Sequence, residues 1–145
     1  MEFMKYIVSR LEDWEIVAQA VAERLEPGMV LKLSGPLGAG KTTFVQVLAR
    51  FLGSTDIPRS PTFSLMRTYT IPFYRGIKRF IHIDAYRLDD PADAFALGLD
   101  EELAAHDTVL AIEWAEKIES LIKDLPSITM KIETDSKGVR RVTLA

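Results

Sequence analysis

The sequence predicts an α/β fold, a three-layer sandwich in which helices cover both faces of a central mixed, partly parallel sheet. An apolar strand, a glycine-rich loop and a helix follow one another between residues 29 and 52. Apolar runs at 78–84 and 109–113 indicate further strands, and parallel pairing is expected near the glycine-rich loop. Segments 63–84 and 128–144 have the turn residues of antiparallel hairpins.

The composition predicts one globular domain that spans residues 1–145. Hydrophobic residues make up 48% of the chain and charged residues 27%, which is the ordinary globular balance. The absence of cysteine excludes disulfides and thiolate metal sites. No apolar run approaches membrane-spanning length and the N-terminus lacks signal-peptide features, so we expect a cytoplasmic protein that makes no membrane contact.

The first half of the chain contains clear start and stop signals. Ser9 to Glu12 has the spacing of a capping box, and apolar residues then recur at helical intervals until Pro27. Residues 29–34 form a short apolar run that is typical of a buried strand. A second helix is predicted over 41–52, ending at Gly53.

The middle of the chain predicts a hairpin after an irregular loop. Residues 54–62 contain two prolines and are not expected to be regular. Strands are predicted at 63–71 and 78–84, joined around Pro72 to Gly76.

The last third alternates helices and strands. A helix over 93–105 is expected to break at Gly98, and an apolar strand follows at 109–113. A short helix over 116–123 precedes the terminal hairpin at 128–144.

The segment Gly35-Pro-Leu-Gly-Ala-Gly-Lys-Thr42 is a phosphate-binding loop, and it places the fold in the P-loop NTPase class. Its glycines let successive backbone N–H groups turn inward at the start of a helix. Lys41 is expected to reach the β- and γ-phosphates, and the Thr42 hydroxyl to bind magnesium. The loop therefore predicts binding of ATP or GTP with Mg²⁺.

Two carboxylates end neighbouring apolar runs, as a magnesium site beside a P-loop requires. They are Asp84 and Glu113. One is expected to bind the metal and the other to orient the attacking water, but the sequence does not rank them. His82, which alternates with Ile81 and Ile83, is either a structural histidine or a catalytic one.

Two further residues have both a structural and a functional interpretation. Trp114 follows Glu113 directly and belongs either to the core or beside the nucleotide. Thr62, in the Ser-Pro-Thr-Phe segment at 60–63, is either a hydroxyl in a rigid turn or a switch residue near the γ-phosphate and metal.

The formal charge of −3 argues against a broad basic surface for nucleic acid. Basic residues do gather locally, and their cluster is either a solvated polar face or an RNA-contacting patch: Arg67, Arg75, Lys78, Arg79 and Arg87.

Four motifs together resemble the TsaE (YjeE) family, the bacterial P-loop ATPases of tRNA threonylcarbamoyladenosine biosynthesis. They are Gly-x-Leu-Gly-Ala-Gly-Lys-Thr-Thr at 35–43, Ser-Pro-Thr-Phe at 60–63, His-x-Asp-x-Tyr-Arg-Leu at 82–88 and Glu-Trp at 113–114. The resemblance covers nearly the whole chain. Pro36 replaces a frequent acidic residue of the family and removes one N–H from the loop, which can alter loop stiffness and nucleotide affinity. Ala85 replaces a common leucine, and neither departure touches a group assigned to chemistry.

The resemblance implies an enzyme that binds ATP and Mg²⁺ and hydrolyses ATP slowly alone. It also implies TsaD and TsaB proteins as partners, with tRNA met indirectly through that complex. Lys41, Asp84 and Glu113 would be catalytic, and Thr42 with the two carboxylates would serve the metal. The nucleotide-binding residues implied are Gly35, Gly38, Ala39, Gly40, Lys41, Thr42, Thr43, Thr62 and Trp114.

Two other function classes fit a P-loop. A small-molecule kinase usually has an arginine-rich lid, and the sequence shows no obvious lid insertion. A GTP-dependent switch would need an Asn-Lys-x-Asp segment to read guanine, which the sequence lacks.

Overall fold

The computed structural model describes residues 3–36, 38–56, 66–90, 92–93 and 98–145. The strands are β1 (Met4–Val8), β2 (Val30–Ser34), β3 (Met66–Tyr74), β4 (Ile77–Asp84), β5 (Thr108–Glu113), β6 (Ser127–Thr134) and β7 (Arg140–Leu144). The α-helices are α1 (Asp13–Arg24), α2 (Lys41–Phe51), α3 (Leu99–Ala104) and α4 (Glu119–Ile122). Two 3-10 helices cover Ala85–Arg87 and Ala115–Ile118.

The strands form one mixed sheet in the order β1-β7-β6-β2-β5-β4-β3. β2 lies between β5 and β6 and is parallel to both, and β4 is parallel to β5. Antiparallel pairs complete the two outer regions. The prediction of a mixed sheet with parallel strands beside the glycine-rich loop is confirmed. The carboxyl ends of β2, β4 and β5 consequently meet at one edge.

Apolar side chains cover both faces of the sheet, which confirms the α/β sandwich. On one face, α1 and α2 contribute Trp14 and Phe44, whose ring centroids lie 5.6 Å apart in a buried cluster. On the other, Ile81 and Ile83 of β4 pack with Leu99 of α3 and the short helices that follow β5. Strand alternation therefore places His82 on the α2 face, opposite to Ile81 and Ile83.

The N-terminal region differs from the sequence prediction in two ways. β1 was not predicted, because most of its residues are exposed and its apolar alternation is weak. The first helix begins at Asp13 and not within the predicted capping box. The Asp13 carboxylate accepts hydrogen bonds from the backbone N–H groups of Ser9 and Arg10, at 2.9 and 3.0 Å, and so performs the role predicted for Glu12.

The strand boundaries around Pro72 also differ from the prediction. β3 continues through Pro72 to Tyr74, and its register against β4 shifts between Thr70 and Tyr74. β3 is an edge strand, and an edge strand tolerates proline better than a central one does. Gly98, predicted as a helix break, adopts a left-handed conformation (φ 79°) immediately before α3.

Several of the clustered basic residues have partners within the part of the chain that the structure describes. Arg79 pairs with Glu102 at 2.8 Å and Asp107 at 3.7 Å. Arg75 donates to the Glu23 carbonyl, and the Arg67 guanidinium lies 5.2 Å from the Tyr69 ring centroid. These contacts are distributed along the β3–β4 hairpin, and each basic side chain has its own partner. This arrangement is what a solvated polar face would show.

Two phenylalanines on α2 give a matched test of the core. Phe44→Ala should lower the free energy of unfolding by about 3–5 kcal/mol, because Phe44 is fully buried against Trp14. Phe51→Ala on the same helix should change it by less than about 0.5 kcal/mol, since Phe51 is 43% exposed. Urea unfolding of both variants measures the difference, and equal effects would contradict the packing described.

Candidate functional site

The loop between β2 and α2 forms the floor of the site. Among the described residues of this loop, Gly38 and Gly40 have left-handed backbones, with φ of 79° and 103°. A Cβ on Gly40 would lie 2.8 Å from the indole Cζ2 of Trp14, so no larger residue fits there. The Gly40 carbonyl accepts from the Phe44 N–H at 2.8 Å as the first turn of α2 begins.

The Lys41 side chain folds back across this loop. Its Nζ donates to the Gly35 carbonyl at 2.8 Å and lies 3.5 Å from Glu113 Oε1. Nζ also lies 5.9 Å from the Trp114 ring centroid. These contacts hold the ammonium over the glycine-rich loop.

Glu113 ends β5 and is only 7% exposed. Its Oε2 lies 2.8 Å from Nε2 of His82, which is itself buried on β4. Burial opposes ionisation of the Glu113 carboxyl, but the hydrogen bond and charge of His82 and the charge of Lys41 outweigh it and lower the pKa. Glu113 is therefore ionised at neutral pH. His82 is buried and holds this carboxylate through its hydrogen bond, as the structural interpretation expects.

Asp84 lies beside Glu113, as its register partner on β4. Its Oδ1 accepts from the Tyr86 N–H at 3.0 Å and so caps the 3-10 helix that follows. Both carboxylates line one cavity with the glycine-rich loop, and their separate roles toward metal and water stay a prediction. The two differ in environment, since Glu113 is buried between two cationic or hydrogen-bonding partners and Asp84 is partly exposed.

An aromatic pair borders the site. Trp114 has a left-handed backbone (φ 59°, ψ 44°), which is uncommon for a bulky residue. Its ring centroid lies 5.2 Å from that of Tyr86, and the Lys117 ammonium lies 5.5 Å from the Tyr86 ring centroid. Trp114 is 40% exposed and Tyr86 57% exposed. The core interpretation of Trp114 is therefore wrong, and its ring is accessible to a ligand.

These groups surround one cavity of about 580 Å³, which falls within the range of small-molecule sites. The lining residues come from the loop, α2, the ends of β4 and β5, and the start of β7: Gly38, Gly40, Lys41, Thr42, Thr43, Asp84, Tyr86, Glu113, Trp114 and Arg140. Most of the residues predicted from the sequence thus meet at a single opening.

A few predicted residues lie elsewhere. Ala39 is buried beneath the loop, and Gly35 contacts the site through the bond from its carbonyl to Lys41. Thr62 and the rest of the Ser-Pro-Thr-Phe segment lie outside the described residues. The sequence analysis did not assign a site role to Tyr86 or Arg140. Tyr86 could have been found from its place in the 82–88 motif, whereas no local pattern marks Arg140.

The donor set fits magnesium of the P-loop kind. The described residues contain no group of three or more His, Cys, Asp or Glu side chains that could hold a metal by themselves. A P-loop site does not need one, because one hydroxyl and one carboxylate share the ion with phosphate oxygens and water. Thr42 and Asp84 line the same cavity and can provide these two ligands.

Residues 8–142 match the family model "Threonylcarbamoyl adenosine biosynthesis protein TsaE". The chain belongs to the TsaE family. Among its relatives is a "tRNA threonylcarbamoyladenosine biosynthesis protein TsaE" of Bacillus subtilis, 37% identical over 138 residues, which covers 95% of this chain and 81% of the relative. The relative of the same name from Treponema pallidum is 33% identical and covers 98% of this chain and 100% of its own length.

The crystal structure of Bacillus subtilis YdiB has the same fold. It superposes with a TM-score of 0.72 at 31% identity, over 99% of this chain and 84% of that one. The four motifs that resemble the TsaE family lie within the 8–142 match. No helix in the part of the chain that the structure describes has the length and apolar character needed to cross a membrane.

The lowered pKa of Glu113 predicts a specific pH dependence of stability. Its charge stabilises the folded state fully above the ordinary glutamate pKa of about 4.5 and stops doing so as the pH falls through the folded-state pKa. Between about pH 5 and pH 3, the free energy of unfolding should therefore fall more steeply in the native protein than in Glu113→Gln.

Urea unfolding at several pH values tests this. The exposed Glu116 supplies a matched control, and Glu116→Gln should keep the native slope. If Glu113→Gln also kept that slope, the ion pairing assigned to Glu113 would be wrong.

Proposed function

We propose that this protein binds Mg-ATP in the cavity and hydrolyses it, in support of threonylcarbamoyladenosine formation on tRNA. The observation that carries the proposal is the meeting of Lys41, Thr42, Asp84 and Glu113 around one glycine loop. Family membership supplies the pathway. The loop supplies the class of ligand, because a glycine-rich loop that ends in Lys41 at the start of a helix suits a polyphosphate.

Each side chain has a defined part in the proposed reaction. The loop N–H groups and Lys41 hold the β- and γ-phosphates and stabilise the charge that develops on them. A water oxygen attacks the γ-phosphorus, the bond to the β,γ-bridging oxygen breaks, and ADP and phosphate leave with the water protons passing to phosphate and solvent. Magnesium, when bound with ATP, neutralises phosphate charge.

Glu113 is suited to orienting this water more than to removing its proton. General bases act best when their pKa lies near the working pH, and the pKa of Glu113 is held below the ordinary glutamate value. Both of its oxygens already face cationic or hydrogen-bonding partners, Lys41 and His82. These features support slow turnover by the isolated protein.

An ATPase that acts with partners is expected to turn over slowly when it is isolated from them. By family resemblance those partners are the TsaD and TsaB proteins, and tRNA is met through their complex. The exposed rings of Tyr86 and Trp114 line the cavity proposed for the nucleotide, and they offer a partner an apolar surface there.

Phosphate release measured with ATP and GTP, with and without a TsaD–TsaB pair, tests the function. We expect slow release from ATP alone and faster release with the pair. Lys41→Ala should weaken nucleotide binding at least tenfold, because a charge-assisted contact to phosphate is lost. Lys32→Ala is the matched control, since Lys32 pairs with Glu119 at 3.5 Å instead. Preference for GTP, or transfer of phosphate to a small acceptor as in a kinase, would refute the proposal.

A second experiment should distinguish the roles of the two carboxylates, Glu113 and Asp84. Glu113→Ala should bind Mg-ATP but hydrolyse it on the order of 100-fold more slowly, because the oriented water is lost. Asp84→Asn should instead weaken the magnesium-dependent part of binding. Calorimetric titration with and without Mg²⁺, combined with phosphate release, measures both, and Glu116→Ala should match the native protein. Loss of magnesium-dependent binding in Glu113→Ala would mean that the two roles are exchanged.

A further inference from the structure

The two edges of the sheet differ in how readily they can pair with another strand. β1 and β3 are the edge strands, and the ladder of β3 is interrupted by a register shift around Pro72. β1 pairs with β7 in an unbroken register from Met4 to Val8. The chain has neither proline nor glycine between residues 3 and 11. β1 is therefore the regular edge, and the backbone N–H and C=O groups on its outer side can pair with another strand.

Apolar side chains are concentrated along this regular edge. Nine large apolar side chains are exposed in the part of the chain that the structure describes, and five of them lie in β1 or between β1 and the first turns of α1. These five, each between 44% and 64% exposed, are Phe3, Met4, Ile7, Leu11 and Ile16. A group of exposed apolar side chains beside an unpaired strand edge is typical of an association surface.

β1 is complementary to itself when two copies run antiparallel. Tyr6 is the middle residue of the five in β1, so a two-fold axis at Tyr6 pairs the whole strand with its counterpart. Lys5, the single charged residue of the strand, then lies opposite Ile7 of the second copy and not opposite another lysine. Ile7 also lies diagonally next to Ile7 and Phe3 of the second copy, at a distance that long side chains can span. A second copy of the chain therefore fits this edge without placing like charges together.

We propose that the protein forms a two-fold symmetric dimer in which the β1 strands of two copies pair antiparallel and join the two sheets. Each copy has one regular edge, and the pairing uses it. The β3 edges, with their interrupted ladders, remain at the two ends of the joined sheet. The assembly consequently closes at two copies and does not extend into a filament. No residue of β1 lines the nucleotide cavity, so the dimer does not depend on the proposed function.

Two substitutions at Ile7 test the pairing and its register together. Ile7→Lys would set an ammonium group opposite Lys5 at two symmetric places, whereas Ile7→Glu would set a carboxylate there. Both variants lose the same apolar side chain, and Ile7 is exposed, so both should fold as the native protein does. The dissociation constant of the dimer should be about tenfold or more higher in Ile7→Lys than in Ile7→Glu, because like charges repel where opposite charges attract.

Sedimentation velocity over a range of concentrations measures these constants. The native protein should approach twice the 16.3 kDa mass of one chain as its concentration rises. Phe73→Lys is the matched control, because it adds the same charge to the β3 edge at an exposed position, and it should dimerise as the native protein does. A native protein that stays monomeric up to millimolar concentration would overturn the inference, as would a dimer that only Phe73→Lys dissociates. Equal weakening by Ile7→Lys and Ile7→Glu would overturn the register.

Cysteine cross-linking tests the position of the two-fold axis, because the chain has no cysteine of its own. In Tyr6→Cys the two substituted positions lie opposite each other, at a Cα separation of about 4.5–5.5 Å that a disulfide can span. In Met4→Cys, on the same face of the strand, they lie four residues apart, which is about 13 Å and too far. Mild oxidation should therefore produce a covalent dimer of Tyr6→Cys and not of Met4→Cys on a non-reducing gel. Equal cross-linking of both variants, or of neither, would contradict the proposed pairing.

Discussion

The ionised, buried carboxylate of Glu113 is the constraint around which the site is arranged. A buried charge without partners is strongly destabilising, so Glu113 requires both Lys41 at 3.5 Å and His82 at 2.8 Å. These partners come from α2 and β4, while Glu113 itself ends β5. The carboxylate therefore fixes the first turn of the helix relative to two parallel strands. It also explains why a histidine occupies an otherwise apolar position of β4.

Close packing of β6 and α1 against two glycines also holds the glycine-rich loop in place. A Cβ on Gly35 would lie 2.9 Å from the Ile132 carbonyl, and one on Gly40 would lie 2.8 Å from the Trp14 ring. The loop is thus enclosed by β6 and α1, both of which belong to the hydrophobic core. A substitution in that core is expected to shift the loop through these two contacts, because close-packed interiors transmit small displacements.

Local signals in the sequence were sufficient for the fold class and for most site residues. The loop motif, and the apolar runs that end in Asp84 and Glu113, can be recognised from residues that are adjacent in the sequence. The pairing of His82 with Glu113 joins positions 31 apart, which parallel strand pairing creates and which no local pattern reveals. Arg140 reaches the loop only because β7 folds back beside β6. β1 was missed for a similar reason, because its formation depends on pairing with β7 more than on the periodicity of its own residues.

The strand β3 has a consequence for how the protein behaves in concentrated solution. It forms one edge of the sheet, and Phe73 on it is 78% exposed. An exposed edge with an apolar side chain is a template on which another chain can add a strand. Pro72, next to Phe73, has no N–H to offer, and the register shift at this point disturbs the regular spacing of the edge. The irregularity that obscured the last residues of β3 in the sequence therefore acts against edge-to-edge aggregation.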